Sequence, residues 1–544
     1  MTEPYDLVVC GGGITGAGIA RDAAHRGLRV ALLEKGDFGS GTSSKSSKLV
    51  HGGLRYLEQG ELKLVFEGTT ERALQMKRAP HLVRPIPFLV PIYKTHKPGL
   101  AVVDIGLWIY DALAMFRSPK LHKTYPTKKV RAMEPALEHH GLAGALEYYD
   151  CLTDDARLVL ENVLDAKALG ADVRSYTRMT GVGRDARGRV RTVRARDVLT
   201  GREIELETRA LVVAAGPWTD QVLGTVGVSF GRPLLRPTKG IHVVVDRARL
   251  PVSRAVTMFT RDRRVMFTLP WVERTVIGTT DTDFRGAPDD VAADAADVDY
   301  ICDNTNQFFP GLHLKPSDVL ATWAGLRPLI SPPREDGDAR PHNVSREHEI
   351  FVREEGVLVI AGGKLTTYRR MAKEVCDRAV EWLNDHAGDW QVGRQIRRCR
   401  TKHRPLPGAQ GLEIPGQKAI QAIAAGLAEH HGLEPRLAEH LSQAYGTRAP
   451  EVVARGELSR MNPDLPYLWA EVDQAIDDLA RTVEDVLVRR IPLALRGREQ
   501  GLDVAGRVAE RMAARLGWTA EETRRQLDAY AGYVQVTRGF RTRV

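Results

Sequence analysis

The stretch DLVVCGGGITGAGIARDAAHRGLRVALLE, Asp6 to Glu34, decides the fold class. It opens on a β-branched apolar run ending at Cys10 and turns through Gly11-Gly-Gly13-Ile-Thr-Gly16. An alanine-rich segment suited to a helix follows, then the apolar run Val30 to Leu33 and the acid Glu34. Strand, glycine turn, helix, strand and acid in that order predict a Rossmann-like unit that binds a dinucleotide. Gly11 permits the tight turn, Gly13 lets the backbone approach a pyrophosphate, and Gly16 allows helix and strand to pack closely. The start of the helix, with Ile14 and Thr15, offers unpaired N–H groups and the positive end of a dipole. Glu34 is placed to accept hydrogen bonds from ribose hydroxyls, which argues against a 2′-phosphate and leaves NAD and FAD open.

Outward from Glu34 the chain runs GDFGSGTSSKSSKLVHGGLRYLE, not another compact βα unit. A flavin lying extended from the glycine turn would let this run return along it. Hydroxyls of Thr42, Ser43, Ser44, Ser46 and Ser47, and the turn at Gly52 and Gly53, would then meet its polar oxygens. Ser-rich runs are commonly flexible linkers, but this one is brief and leads straight into His51, Arg55 and Tyr56.

The run TSSKSSKLVHGGLRYLE, Thr42 to Glu58, resembles the signature of the FAD-dependent glycerol-3-phosphate dehydrogenase family. The likeness continues in order through YDCLTDDARLVLENVLDA (149–166), LVVAAGPWTD (211–220), KGIHVVV (239–245), VIGTTDTDF (276–284), WAGLRPL (323–329) and IAGGKLTTYRRMA (360–372). TVEDVLVRRIPLAL (482–495) resembles the family's C-terminal signature. The resemblance implies an α/β fold: a Rossmann-like FAD-binding domain of the glutathione-reductase/D-amino-acid-oxidase type, interleaved with a mainly antiparallel β substrate domain and followed by an α-helical C-terminal domain. The expected boundaries are 1–404 for the oxidoreductase region, with FAD-binding segments at about 1–80, 150–225 and 355–385 and substrate segments at about 81–149 and 226–354. The helical domain is expected over 405–544, where PLPGAQG breaks the pattern and Ile476, Leu479, Val483 and Leu487 recur at helical spacing as core positions.

For function, the resemblance implies oxidation of sn-glycerol 3-phosphate to dihydroxyacetone phosphate by hydride transfer to FAD. The electrons pass to a membrane quinone or, in the alternative, to oxygen. Further cofactor contacts are expected from Ala215, Gly216 and Trp218, and from Gly363, Lys364, Leu365 and Thr366. Arg55, Tyr56 and Arg346 are the expected phosphate ligands, because forked guanidinium donors suit a dianionic tail. His242, Arg327, Lys364 and His51 are the candidates near the reacting hydroxyl. A histidine of ordinary pKa, about 6.5, can act as base near neutrality, and the sequence leaves His242 and His51 both open. For Asp281 two readings stand, turn hydrogen bonds that hold its loop or orientation of a catalytic cation.

Composition sets outer bounds. With 544 residues, two or three domains are expected. The five cysteines contain no C-x-x-C pair, and the N-terminus lacks a secretory pattern, which predicts a reduced, cytoplasmic location. No metal site is expected. The net charge of +9 suits an anionic substrate or an anionic membrane surface. Dispersed basic residues without a recognition motif argue against nucleic acid. Peripheral attachment to the cytoplasmic face of the membrane is expected, and a homodimer is a candidate assembly. The apolar run LAVVDIGLWIYDALAMF, Leu100 to Phe116, is too short and too charged to span a bilayer and reads as a buried helix, with a membrane-surface element as the alternative.

Overall fold

The computed structural model describes residues 3–58, 60–262, 264–331, 347–388, 390–391, 395–413 and 416–541, apart from the side chains of Arg55 and Glu58. The opening segment folds as its pattern predicts. β1 (Tyr5–Cys10) leads through the glycine turn into α1 (Ile14–Arg26), and the chain returns in β2 (Val30–Leu33). β1 pairs in parallel with β2 on one side and with the C-terminal part of Glu203–Val213 on the other. Asp172–Arg174 extends the sheet beyond β2. Val357–Gly362 and then the antiparallel His348–Arg353 extend it the other way. The N-terminal part of Glu203–Val213 leaves this sheet and pairs antiparallel with Val190–Asp197, which pairs with Thr177–Arg184. One long strand thus joins a parallel sheet to a three-stranded meander. α1 packs on the parallel sheet with the helices Asp155–Ala168 and Tyr368–His386, burying Leu7, Val9, Ile19, Val159, Met371 and Val375.

A ten-stranded second sheet lies beside the first. Near one edge of it, Leu235–Asp246 pairs antiparallel with Val319–Ile330 and with Arg274–Gly278. Val265–Trp271 and Arg274–Gly278 form the hairpin expected from their alternating pattern. Leu49–Val50 joins this sheet, whose one parallel pairing among its described strands is that of Ala255–Phe259 with Arg84–Tyr93.

The C-terminal part is helical, with its own buried clusters around Val483, Val508 and Tyr530, and around Leu441 and Leu468. Its apolar repeat is not one helix. Ala470–Asp477 ends before Leu479, which takes a left-handed φ of +71°, and a π-helical turn starts at Asp485. Val483 and Leu487 are fully buried, so the repeat marks core positions across a break in the backbone.

The expectation of a buried helix at Leu100–Leu113 is overturned. The helix forms, but Val102, Ile105, Trp108 and Ile109 face outward, Val102 and Ile105 each at 60% exposure, while Leu107 and Tyr110 face the core. Met115 and Phe116, and Leu62 and Phe66 of the helix Leu62–Arg78, are exposed as well. Hydropathy along the run does not reveal which side the fold leaves uncovered. No helix among the described residues is long and apolar enough to cross a membrane.

Candidate active site

A cleft of about 520 Å³ runs from the first glycine turn along the carboxyl ends of the parallel strands, where open α/β sheets bind ligands. At its start Gly11 takes a φ of +111°, and a Cβ there would lie 2.4 Å from the Ala214 carbonyl oxygen. A Cβ on Gly16 would lie 1.8 Å from the Gly11 oxygen, so the helix packs against its own entry turn at a distance that only glycine allows. α1 has neither a side-chain cap nor an acid in its first turn. Its N-terminus meets Ser43, whose Oγ accepts from the Ile14 N–H at 2.9 Å.

Glu34 lies beside the same turn, its carboxylate accepting from Gly12 N at 2.7 Å and Gly36 N at 2.9 Å. Burial lifts its carboxyl above the ordinary range, against the opposing pull of those amides. Beside Gly216, with φ +52°, the space a Cβ would need is open. A helix start without an N-cap side chain of its own, open space at Gly216 and a half-buried acid at the strand terminus together fit an extended dinucleotide.

Most of the expected cofactor residues line this cleft: Gly11, Gly13, Ile14, Thr15, Glu34, Thr42, Ser43, Ser46, Ala215, Gly216, Trp218, Gly363, Lys364 and Leu365. Gly16, Ser44, Ser47, Gly52, Gly53 and Thr366 stand behind that lining. The hydroxyls of the Ser-rich run reach in several directions. Thr42 Oγ1 donates to the Leu326 carbonyl (2.6 Å), Ser46 Oγ donates to Asp155 (2.7 Å), and Ser47 Oγ meets His242 Nε2 (2.8 Å). The run therefore ties the first sheet to the second. Thr177, Arg178 and Met179 of the meander also line the cleft, and no sequence signal marked them. At the mouth, Lys35 lies over the Trp218 ring and pairs with Asp289, which also accepts from Trp218 Nε1.

The second sheet carries His242 and Arg327, two of the candidates near the reacting hydroxyl. His242 lies between Trp323 and Gly278 on the neighbouring strands. Its ring stacks on Trp323 at 4.9 Å and is only 3% exposed. Burial, then the charges of Arg327 and Lys48, hold it well below the ordinary histidine pKa, so the ring is neutral. Nδ1 is buried without a hydrogen-bond partner among the described residues.

Arg327, on the same strand as Trp323, reaches Asp281 at 3.0 Å, Thr279 Oγ1 at 3.2 Å and the Thr280 carbonyl at 3.1 Å. A Cβ on Gly240 would fall 2.6 Å from its guanidinium, so the glycine of KGIHVVV makes the room. The Arg327–Asp281 pair is the contact that the second reading of Asp281 requires.

The loops HGGLRY and GGKLTT meet. The His51 N–H donates to Thr366 Oγ1 at 3.2 Å, and Lys364 Nζ sits 3.7 Å from the centre of the Tyr56 ring. Behind them Gly52 N donates to Asp150, which is held in a buried pair with Arg72. The side chain of Arg55, and Arg346 altogether, lie outside the described residues. No cluster able to hold a metal ion occurs among the described residues.

The FAD dependent oxidoreductase family matches residues 6–378, and the C-terminal domain of alpha-glycerophosphate oxidase matches residues 399–523. The aerobic glycerol-3-phosphate dehydrogenase of Bacillus subtilis is 37% identical over 499 residues, 90% of this chain and 87% of that protein. The chain belongs to the FAD-dependent glycerol-3-phosphate dehydrogenase family. The Staphylococcus haemolyticus family member is 36% identical over the same shares of both chains. A solved glycerol-3-phosphate dehydrogenase from Bacillus halodurans, complexed with FAD, superposes with a TM-score of 0.80 at 31% identity, covering 100% of this chain and 97% of that one. Family membership accounts for the two-sheet frame and for the order of the blocks along the chain.

Proposed function

We propose that this protein oxidises sn-glycerol 3-phosphate to dihydroxyacetone phosphate, with FAD in the cleft and a membrane quinone as electron acceptor. One observation carries the reading: a neutral, desolvated His242, hydrogen-bonded to Ser47 and flanked by Arg327, stands behind a cleft built for a dinucleotide. FAD bound there supplies the hydride acceptor. The residues supply the rest. The substrate hydroxyl proton passes through Ser47 Oγ to His242 Nε2, a route that suits a ring too buried for direct contact. His242 is thus the base, and His51 shapes the turn. Arg327, held by Asp281, and Lys364 stabilise the developing alkoxide. Arg55, Tyr56 and Arg346 hold the phosphate. Residues 1–404 form the oxidoreductase region and 405–544 a helical domain.

The outward face of Leu100–Leu113 supports the choice of acceptor. Val102, Ile105, Trp108 and Ile109 are exposed, and the segments flanking the helix in the chain carry exposed Lys94, Lys97, Arg117, Lys120 and Lys123. That pairing of apolar face and basic flanks is what an anionic bilayer surface takes up. The protein is accordingly peripheral on the cytoplasmic face, where a quinone is within reach.

Steady-state turnover tests the proposal with a reducible dye and a panel of glycerol 3-phosphate, glycerol, glycine and proline. Only the phosphoester is expected to support turnover. Turnover with an amino acid and none with the phosphoester would reject the substrate, and hydrogen peroxide formed one-for-one with product would replace the quinone by oxygen.

A further inference from the structure

The loop that carries the ribose-side wall of the cleft, Glu34 to Ser40, is gripped from outside by the C-terminal helices. Asp37 sits in this loop with 1% exposure and receives two consecutive arginines. Arg490 binds it through both terminal nitrogens, at 2.6 and 2.9 Å, and Arg489 Nε binds it at 2.5 Å. In an ordinary α-helix consecutive side chains diverge by about 100°. Here they lie on the π-helical turn Asp485–Arg490, and both guanidiniums converge on one carboxylate. Burial alone would lift the Asp37 carboxyl, yet Arg490 and Arg489 hold it below the ordinary range.

A second arm runs from the same turn to Tyr176, which backs the same loop. Asp485 accepts from the Tyr176 hydroxyl at 2.6 Å and from the amides of Arg481 and Thr482. Tyr176 adopts a left-handed φ of +52° and donates its N–H to the Gly36 carbonyl, while Thr177 N donates to the Glu34 carbonyl. Glu34, Gly36, Ser40 and Thr177 all line the cleft. Arg489 Nη2 joins the arms by bonding Asp485 at 2.7 Å. The turn is itself anchored in the C-terminal core through fully buried Val486 and Leu487.

We infer that this buried Asp37–Arg489–Arg490–Asp485–Tyr176 network is a clamp by which the C-terminal helices hold the adenosine-side wall of the cleft in its binding shape, so that FAD affinity and the docking of those helices are one coupled equilibrium. The inference rests on the reading of the cleft as the FAD site. Asp37, Tyr176 and the two arginines are positioning residues. None of them lines the cleft itself, and their action passes through Glu34, Gly36 and Thr177. Coupling of this kind is reciprocal: whatever the helices contribute to FAD binding, bound FAD returns to the helices.

The test uses the full-length protein stripped of FAD and titrated with it, following flavin fluorescence, beside hydrogen exchange of the amides from 478 to 491. The wild-type protein is expected to bind FAD, with those amides, remote from the cleft, exchanging at least tenfold more slowly once it is bound. Tyr176→Phe removes one hydroxyl, with its bonds to Asp485 and Thr482, and leaves both ion pairs. It is expected to raise the FAD Kd several-fold while the KM for glycerol 3-phosphate of the FAD-saturated protein stays unchanged. Asp37→Asn is expected to raise the Kd at least tenfold in the same assay. If Asp37→Asn does not fold, Tyr176→Phe and the wild-type exchange experiment decide. Unaltered FAD affinity in Tyr176→Phe, or wild-type exchange at 478–491 indifferent to FAD, overturns the clamp. Failure of the wild-type protein to bind FAD at all would instead overturn the reading of the cleft.

Discussion

Gly278→Ala puts the proposed base to a direct test without touching its chemistry. Gly278 faces His242 across the strand pair, and a Cβ built there lies 2.3 Å from Cδ2, 2.8 Å from Cγ and 2.9 Å from Nε2 of the imidazole. The ring must retreat by about 1 Å to regain an ordinary carbon contact of about 3.5 Å. Retreat is opposed by Trp323, stacked on the far face at 4.9 Å, and it strains the 2.8 Å bond from Nε2 to Ser47. Misplacement of a catalytic group by about 1 Å costs about 10²-fold in rate, or about 2.7 kcal/mol at about 1.36 kcal/mol per tenfold. The assay is single-turnover flavin reduction by glycerol 3-phosphate in anaerobic stopped flow, with FAD content measured on the same sample. Gly278 lies outside the cleft lining, so FAD content should match the wild type while the reduction rate falls by about two orders of magnitude. A variant that retains FAD and reduces it within twofold of the wild-type rate would refute the assignment of His242 as base.

Other expectations follow from the same geometry. Ser47→Ala should slow flavin reduction with little change in FAD binding, because it interrupts the proton route at Nε2. Burial, Arg327 and Lys48 keep His242 deprotonated, so the reduction rate should stay flat as pH falls through about 6.5, the ordinary histidine value, and decline only at lower pH. Arg327→Met, which removes one of the depressing charges, should move that acid limb upward. The stability linked to His242 has the matching sign: a depressed folded-state pKa means the contribution is intact above the unfolded value and is lost as pH falls toward the folded one. Gly16→Ala places a Cβ 1.8 Å from backbone oxygen and should yield colourless protein with stability reduced by about 1–3 kcal/mol. Ile105→Glu combined with Trp108→Glu should lower co-flotation with anionic vesicles at least tenfold while leaving dye-linked turnover intact.

The parts of the fold legible in the sequence were those set by local chemistry. The glycine turn, the alanine-rich α1 and the acid after β2 lie within one contiguous segment, and each residue type has a steric or electrostatic reason to be there. The hairpin 265–278 was legible for the same reason, as alternation has a period that a strand pair reads directly. What depended on distant partners was not. Ser46 and Ser47 look alike in sequence, yet one hydroxyl meets Asp155 and the other His242, 109 and 195 residues away. Thr177 to Met179 reach the cleft only because Glu203–Val213 belongs to both parallel sheet and meander. The left-handed turn at Leu479 interrupts a repeat that sequence alone extends through it. Leu100–Leu113 was misread because apolar content predicts a need for cover without saying whether this chain or another phase supplies it.

The whole account stands most directly on an anaerobic titration of the FAD-loaded protein with sn-glycerol 3-phosphate, followed by its visible absorbance. One equivalent of substrate should bleach one equivalent of flavin and yield one equivalent of dihydroxyacetone phosphate. An oxidised spectrum that persists under excess substrate, in protein whose flavin dithionite still reduces, would contradict it.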